Sequence, residues 1–427
     1  MTRILRGEAI RFAANPFHSD DALVHDTDAA IVIADGLIAE VGPASAILPQ
    51  YPDANVIRTP HLIAPGFIDA HVHYPQIGVI ASWGADLIDW LNGYTFPEEA
   101  RFCDAGYAQS AAAAYFDEQL RNGVTTAASF CTIHPESVDA YFSEARKRGL
   151  RAIGGKVMLH RNAPDALRDT AQSAFDDSKA LIERWHGKHR CSYAITPRFA
   201  PTSTPEQLEA AGALWAEHPD CQMQTHLSEQ HREIEWVRDL FPGSADYLSV
   251  YEQFGLVGPG AIFGHAIHLT DRECTVLRER GASIAHCPTS NQFLGSGECG
   301  VAGLAEARVR VGLATDTGGG TSYSMFDTMK SAYEVAKRRG DTLSPAQLWW
   351  LATVGSAEAL RLGDVIGNIA PGMEADLVLI NRQSTPLLAQ RISKAVSIYD
   401  VLFALIVLAD DRAISDVFSA GRSVSRA

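Results

Sequence analysis

The chain has 427 residues, 46% hydrophobic and 20% charged, an ordinary globular composition with ample length for a large core. A formal net charge of −15 argues against a nucleic-acid backbone or an anionic membrane as partner, while an uncharged nucleobase stays open because it carries no phosphate. Seven cysteines without a CxxC pair exclude a disulfide framework and read as reduced thiols in a cytoplasmic setting, and Met1–Glu8 has no signal-peptide apolar core.

The first sixty residues read as β-rich. Ala30 to Gly42 holds two short strands around Asp35-Gly36, a hairpin signal. From His61 onward, apolar strand-like runs alternate with Ala- and Glu-rich helical stretches. Eight such runs are legible: Leu62–His73, Gly123–Ile133, Leu150–Leu159, Cys191–Ala200, Cys221–Glu229, Ala261–Leu269, Ala282–Pro288 and Arg308–Thr317. Helix-like sequence fills most gaps, as in Glu98–Arg121 and Thr204–Glu217, and Gln230–Leu256 is long enough for two helices. Eight βα units are the count for a closed (β/α)8 TIM barrel. An open doubly wound sheet ranks lower, because no G-x-G-x-x-G follows any strand and the polar strand ends would have to converge across a flat surface. After a last barrel helix near Pro345–Leu360 the texture returns to strands, with Gly367–Ile380 as a Pro-Gly turn entering a buried strand and Ile414–Phe418 as another. The expected organisation is a barrel over residues 61–365, inserted between segments 1–60 and 366–427 that pair as one small β-sandwich domain. Val401–Ala409 is apolar but too short to span a membrane, and reads as a buried helix or strand.

The chemistry starts at Pro65-Gly66-Phe67-Ile68-Asp69-Ala70-His71-Val72-His73. Strand side chains alternate faces, so His71 and His73 point the same way and form a ready pair of metal ligands. Downstream islands at strand ends supply the rest: Thr225–Glu229, Gly264–Ala266 and Ala314–Thr317. His226 is the third candidate ligand and Asp316 the fourth. Neutral imidazoles suit zinc or iron(II), and a His3Asp set leaves a place for a water whose pKa zinc lowers from about 16 to about 7. Asp316 can also accept that water's proton, or cap a neighbouring loop. Asp69 shares the histidine face but lies deeper, as a hydrogen-bond acceptor. Glu229 suits proton shuttling, or else sits at a helix start with Ser228 as cap. His265 can contact the water, steady a tetrahedral intermediate or add a fifth ligand. Arg198 is a cation at the barrel mouth, fit for a substrate carbonyl or for a structural ion pair. His134, His160, His268 and His286 also lie near strand ends; His286, in His286-Cys287-Pro288-Thr289-Ser290-Asn291, is the best of them for a site role.

These residues resemble the amidohydrolase superfamily and, within it, the guanine deaminases. The general marks are the Pro65–His73 run, His226, His265, Asp316 and Pro371–Val378; the specific ones are His73–Gln76, Trp90–Glu98, Ile195–Thr202, Gln224–Glu229 and Cys287–Asn291. The resemblance implies hydrolytic deamination of guanine to xanthine and ammonia, with one zinc per subunit (iron(II) as the alternative) and a homodimer. It implies that Glu229 protonates the ring nitrogen beside the attacked carbon, that Asp316 and His265 take the water's proton and hold the tetrahedral oxygen, and that Gln76, Arg198 and Phe199, with His226, contact the purine. His160 departs from the family's pattern, standing where a carboxylate is expected. Other aminated heterocycles (pterins, s-triazines, cytosine or adenosine derivatives) are the alternative substrates. A two-metal cyclic-amide hydrolase ranks lower because Ser192–Phe199 offers no lysine, and a silent scaffold lower still because every ligand and Glu229 are in place.

Overall fold

The structure is a computed structural model that describes residues 2–84 and 87–424. Five strands come first: β1 (Arg3–Phe12), β2 (Leu23–Ala34), β3 (Leu37–Pro43), β4 (Asn55–Arg58) and β5 (Leu62–Pro65). β1, β2 and β3 form an antiparallel meander, and the β2–β3 hairpin turns at Asp35-Gly36, both with positive φ. β4 and β5 pair in parallel with β1.

The barrel strands follow: β6 (Phe67–His73), β7 (Val124–Phe130), β8 (Arg151–Gly155) with the short extension β9 (Val157–Met158), β10 (Cys191–Pro197), β11 (Gln222–Leu227), β12 (Ala261–His265), β13 (Ser283–His286) and β14 (Arg310–Leu313). They run in sheet order β6-β7-β8-β10-β11-β12-β13-β14, each neighbour parallel. The ring closes where the chain leaving β14 meets β6: Asp316 N–H donates to His71 O at 3.0 Å and His73 N–H to Thr317 O at 2.8 Å. Small and β-branched side chains fill the interior, among them Ile68, Ala70, Ala128, Ile153, Ala194, Ile262, Ala285 and Ala314. The helices pack outside. Their ends follow local rules, as in Pro205–Glu217, where Thr204 caps the Gln207 N–H and Pro205 occupies the first turn. The 230–256 segment gives two helices, His231–Leu240 and Tyr247–Gln253.

The last strands, β15 (Leu377–Ile380), β16 (Ile414–Ser419) and β17 (Arg422–Ser423), return to the first sheet. β15 pairs antiparallel with β5, which joins the two chain ends in a mixed sheet ordered β17-β16-β15-β5-β1-β2-β3. The run read as one strand from Leu62 to His73 therefore divides at Gly66, β5 belonging to the mixed sheet and β6 to the barrel. A Cβ at Gly66 would lie 2.4 Å from the Thr125 side chain, so the crossing between sheets is pressed against β7 where only glycine fits. The apolar stretch ending at Ala409 is the helix Ile398–Leu408. Among the described residues, no helix is long and apolar enough to cross a membrane.

Candidate active site

The C-terminal ends of β6, β11 and β12, and the residues just past β14, bring four histidines and an aspartate together. His71 Nε2 lies 3.3 Å and His73 Nε2 3.5 Å from Asp316 Oδ1, and His73 Nε2 lies 3.2 Å from His226 Nε2. Bonds of about 2.0–2.1 Å to a tetrahedral ion set ligand atoms roughly 3.3–3.4 Å apart, so this spacing fits a shared metal. The tautomers fit as well. His226 Nδ1–H donates to Arg198 O at 2.7 Å, which leaves the Nε2 lone pair facing His73. His71 Nε2 is buried with no hydrogen-bond partner among the described residues. Burial holds the pKa values of His71, His73 and His226 below the ordinary imidazole value, keeping them in the neutral, ligating form. The donor set suits a divalent cation.

The supporting contacts are specific. Asp69 accepts from Thr315 N–H at 3.0 Å, from the Thr315 hydroxyl and from His71 N–H at 3.3 Å, tying β6 to the chain after β14. Burial raises its carboxyl to about 7. It is a structural acceptor beneath the ligands. Gly264 on β12 faces the His71 ring, and a Cβ there would come within 2.8 Å of it. His265 (φ +66°), the last residue of β12, and Asp316 (φ +50°), beyond the end of β14, both adopt left-handed backbone, a conformation that costs energy.

His265 and Glu229 form the second group. His265 Nε2 is 3.6 Å from Glu229 Oε2 and 3.7 Å from Asp316 Oδ2, while its Nδ1 bonds Asn291 Oδ1 at 2.8 Å. Burial opposes a charged His265, but the two carboxylates outweigh it and raise its pKa. Burial raises the Glu229 carboxyl, and the charge of Asp316 adds to that. Asp316 goes the other way: against burial, the close approach of His71 and the charges of His265, His71 and His73 hold it well below the carboxylate range. Two nearby carboxyls thus have separated proton affinities, the pattern of an acid and a base. Ser296 Oγ–H donates to Glu229 Oε1 at 2.7 Å. Glu229 precedes the helix His231–Leu240 and does not begin it; the cap is Gln230, with Glu233 accepting from the Glu229 and Gln230 N–H groups.

A cavity at the barrel mouth is lined by His73, Gln76, Arg198, Phe199, Glu229 and Asp316, with Trp90, Leu91 and Leu294 as its apolar part. Every site residue expected from the sequence lines it or touches one that does. One was missed. Glu99, only 1% exposed, accepts from Arg198 Nη1 at 2.8 and 3.0 Å and from Gln76 Nε2 at 2.8 Å. The Trp90–Glu98 pattern stops one residue short of it, and two adjacent acids in a loop gave no sign of which turns inward. Glu98 faces away, toward Tyr107 and Arg101. Arg198 therefore has both roles weighed for it, ion-paired and at the cavity. The competing histidines lie outside the cavity. His160 bonds Thr204 Oγ1 at 2.8 Å, and His268 donates to Ser296 O at 2.8 Å. His286 is buried with neither ring nitrogen partnered among the described residues, and burial lowers its pKa to about 3.

Comparison with known proteins agrees with this geometry. The model of the amidohydrolase family matches residues 62–424, and that of an imidazolonepropionase-like composite domain from bacteria matches residues 29–54. Guanine deaminase of Escherichia coli is 44% identical over 427 residues, covering 99% of this chain and 97% of that protein. The solved E. coli guanine deaminase has a TM-score of 0.96 at 43% identity, over 100% of this chain and 99% of that one. Guanine deaminase from C. acetobutylicum, solved with guanine bound in its active site, has a TM-score of 0.91 at 29% identity, over 99% of this chain and 100% of that one. An adenosine deaminase from Xanthomonas campestris with bound zinc has a TM-score of 0.86 at 25% identity, over 98% and 92%. A barrel that gathers these histidines and an aspartate at its mouth, a family match over most of the length and a relative covered nearly end to end lead to one conclusion: the chain belongs to the amidohydrolase family.

Proposed function

We propose that this protein is a guanine deaminase, hydrolysing guanine to xanthine and ammonia. The observation that carries the reading is the approach of His71, His73, His226 and Asp316 within 3.2–3.5 Å of a neighbour in the set, beside a cavity that holds Gln76, Arg198, Phe199 and Glu229. The guanine-binding relative supports it. His71, His73, His226 and Asp316 would hold the metal, for which we assign zinc, with iron(II) as the alternative. A bound divalent ion lowers the pKa of water from about 16 to about 7.

Asp316, held ionised, accepts the proton of the attacking water. Glu229, whose proton affinity is raised by burial, donates to the ring nitrogen beside the amino-bearing carbon and then passes a proton to the departing amine. His265, drawn toward its charged form by both carboxylates, faces the oxygen that becomes negative as the carbon turns tetrahedral. Gln76 and Arg198 read the polar edge of the base, and Phe199 offers an aromatic face. Glu229, left ionised by protonating the ring nitrogen, takes the hydroxyl proton as the new carbonyl forms and passes it to the departing amine; the proton held by Asp316 then returns to Glu229, so both carboxyls end as they began with one water consumed.

We further propose a homodimer. The exposed apolar side chains Leu387 (60% exposed), Val396 (94%), Tyr399 and Val407, on and between the helices Pro386–Ile392 and Ile398–Leu408, support it. A cytoplasmic location and a role in purine breakdown complete the proposal; the seven unpaired cysteines are in keeping with a reducing compartment. The test is ammonia release from purified, metal-analysed protein given guanine, adenine, cytosine, a pterin and an s-triazine. Guanine-selective release that falls on chelation and returns with zinc supports the reading. Release from another of these bases, with guanine inert, overturns it.

A further inference from the structure

Glu99 has no part in the proton transfers above, yet it is almost fully buried and bonds two side chains that line the cavity, Gln76 and Arg198. It comes from Phe96–Glu99, a single helical turn in the long segment after β6, and it reaches across to β10 through Arg198. Its hydrogen bonds have a definite logic. A carboxylate only accepts and a peptide N–H only donates. Gln76 lies between one of each: its Nε2 gives a proton to Glu99 Oε1, and its Oε1 takes one from Gly318 N–H at 3.3 Å. That pair leaves the Gln76 amide a single orientation, the reverse one facing oxygen with oxygen and N–H with N–H. Arg198 gives Nη1 to both Glu99 oxygens, so the donors left for a ligand are those of Nη2 and Nε. One carboxylate thus decides which hydrogen-bonding groups two cavity side chains have to offer.

We infer that Glu99 is a positioning residue that sets selectivity among purines, holding Gln76 and Arg198 as one template for a carbonyl next to a ring N–H. This rests on the proposed guanine deaminase activity and adds the determinant of its choice of base. The discriminating compound is 2,6-diaminopurine. It keeps the amino group to be removed, but carries a second amino group where guanine has its carbonyl, and an unprotonated ring nitrogen where guanine has N–H. Donor meets donor and acceptor meets acceptor against the fixed template. A site built to pair with polar groups rejects such a mismatch strongly, because its own buried groups are left unpaired.

The test compares kcat/KM for guanine and for 2,6-diaminopurine in wild type, Glu99→Gln and Glu99→Asp, with metal content measured on each. Glu99→Gln places an NH2 where the template needs only acceptors. We expect the guanine to 2,6-diaminopurine ratio to fall about tenfold or more, carried mainly by KM for guanine, with metal content unchanged. Glu99→Asp keeps the charge but withdraws it by one methylene and should give an intermediate ratio, which serves if the glutamine variant does not fold. A ratio that stays constant, or both substrates declining in parallel, overturns the assignment and leaves Glu99 a structural ion-pair partner. Wild-type protein inert toward guanine is a different failure, of the proposed activity itself.

Discussion

His71, His73 and His226 illustrate how burial selects a protonation state before any ion arrives. Enclosed at the barrel mouth, each imidazole is pushed toward neutrality, and His226 Nδ1–H is committed to a carbonyl, which leaves the Nε2 atoms facing one another and Asp316. The neighbouring Gly264 is part of this arrangement. Gly264→Ala would push a methyl to 2.8 Å from the His71 ring, and we expect metal affinity to fall about 10–100-fold, read by chelator competition, with the fold retained. The role proposed for Glu229 is proton transfer, not metal binding. Its side-chain contacts among the described residues are Ser296 Oγ at 2.7 Å and His265 Nε2 at 3.6 Å, not His71 or His73. Glu229→Gln should keep stoichiometric metal while kcat drops about 10²–10⁴-fold, the usual range for a lost general acid. Near-full turnover in that variant would remove Glu229 from the mechanism.

At the scale of elements, the loop–helix junction after β11 is held by a buried carboxyl. Glu233 accepts from two backbone N–H groups with one oxygen and from Tyr247 OH at 2.7 Å with the other, fixing the turn that presents Glu229. Burial, with help from the charge of Glu229, raises its pKa from 4.5 to about 7. The folded protein therefore binds this proton more tightly than the unfolded chain. The stability it contributes is full below pH 4.5 and is lost as pH rises through about 7. Comparing wild type with Glu233→Gln in urea at acid and at mildly alkaline pH, we expect wild type to lose on the order of 3 kcal/mol relative to the variant across that window. Parallel pH profiles for the two proteins would show that Glu233 does not titrate there.

For the whole molecule, the barrel is anchored to the mixed sheet by a cluster of ions. Arg151, the first residue of β8, meets Glu374 Oε1 at 2.6 Å, and Arg190, just before β10, meets Glu374 and, at 2.5 Å, Asp376. Arg190 also donates to Ser419 Oγ on β16 at 2.6 Å. Glu374→Ala leaves two largely enclosed guanidinium groups short of a partner, and we expect about 3 kcal/mol of lost stability by denaturant unfolding. The cluster sits where barrel strands start, at the end away from the metal ligands, so KM for guanine and metal content should stay unchanged.

Much of this organisation was legible in one dimension. Strand runs alternating with helical stretches announce a parallel barrel, because strands covered on both faces become continuous apolar runs. That His71, His73, His226, Asp316 and Glu229, the proposed ligands and acid, would meet was legible because a parallel barrel delivers the ends of its strands to one mouth, so position on a strand stands in for position in space. Three matters were settled only by the tertiary structure. Gly66 divides an apparently single strand between two sheets, since the crowding that demands glycine comes from Thr125, nearly sixty residues away. Glu99 turns inward while Glu98 turns out, because their partners Arg198, Gln76 and Tyr107 come from separate parts of the chain. His286 stays out of the cavity although the motif containing it supplies Asn291 to His265. The alternation of apolar runs is a local property that a sequence carries openly; the direction of a single loop carboxylate depends on partners that only folding brings near.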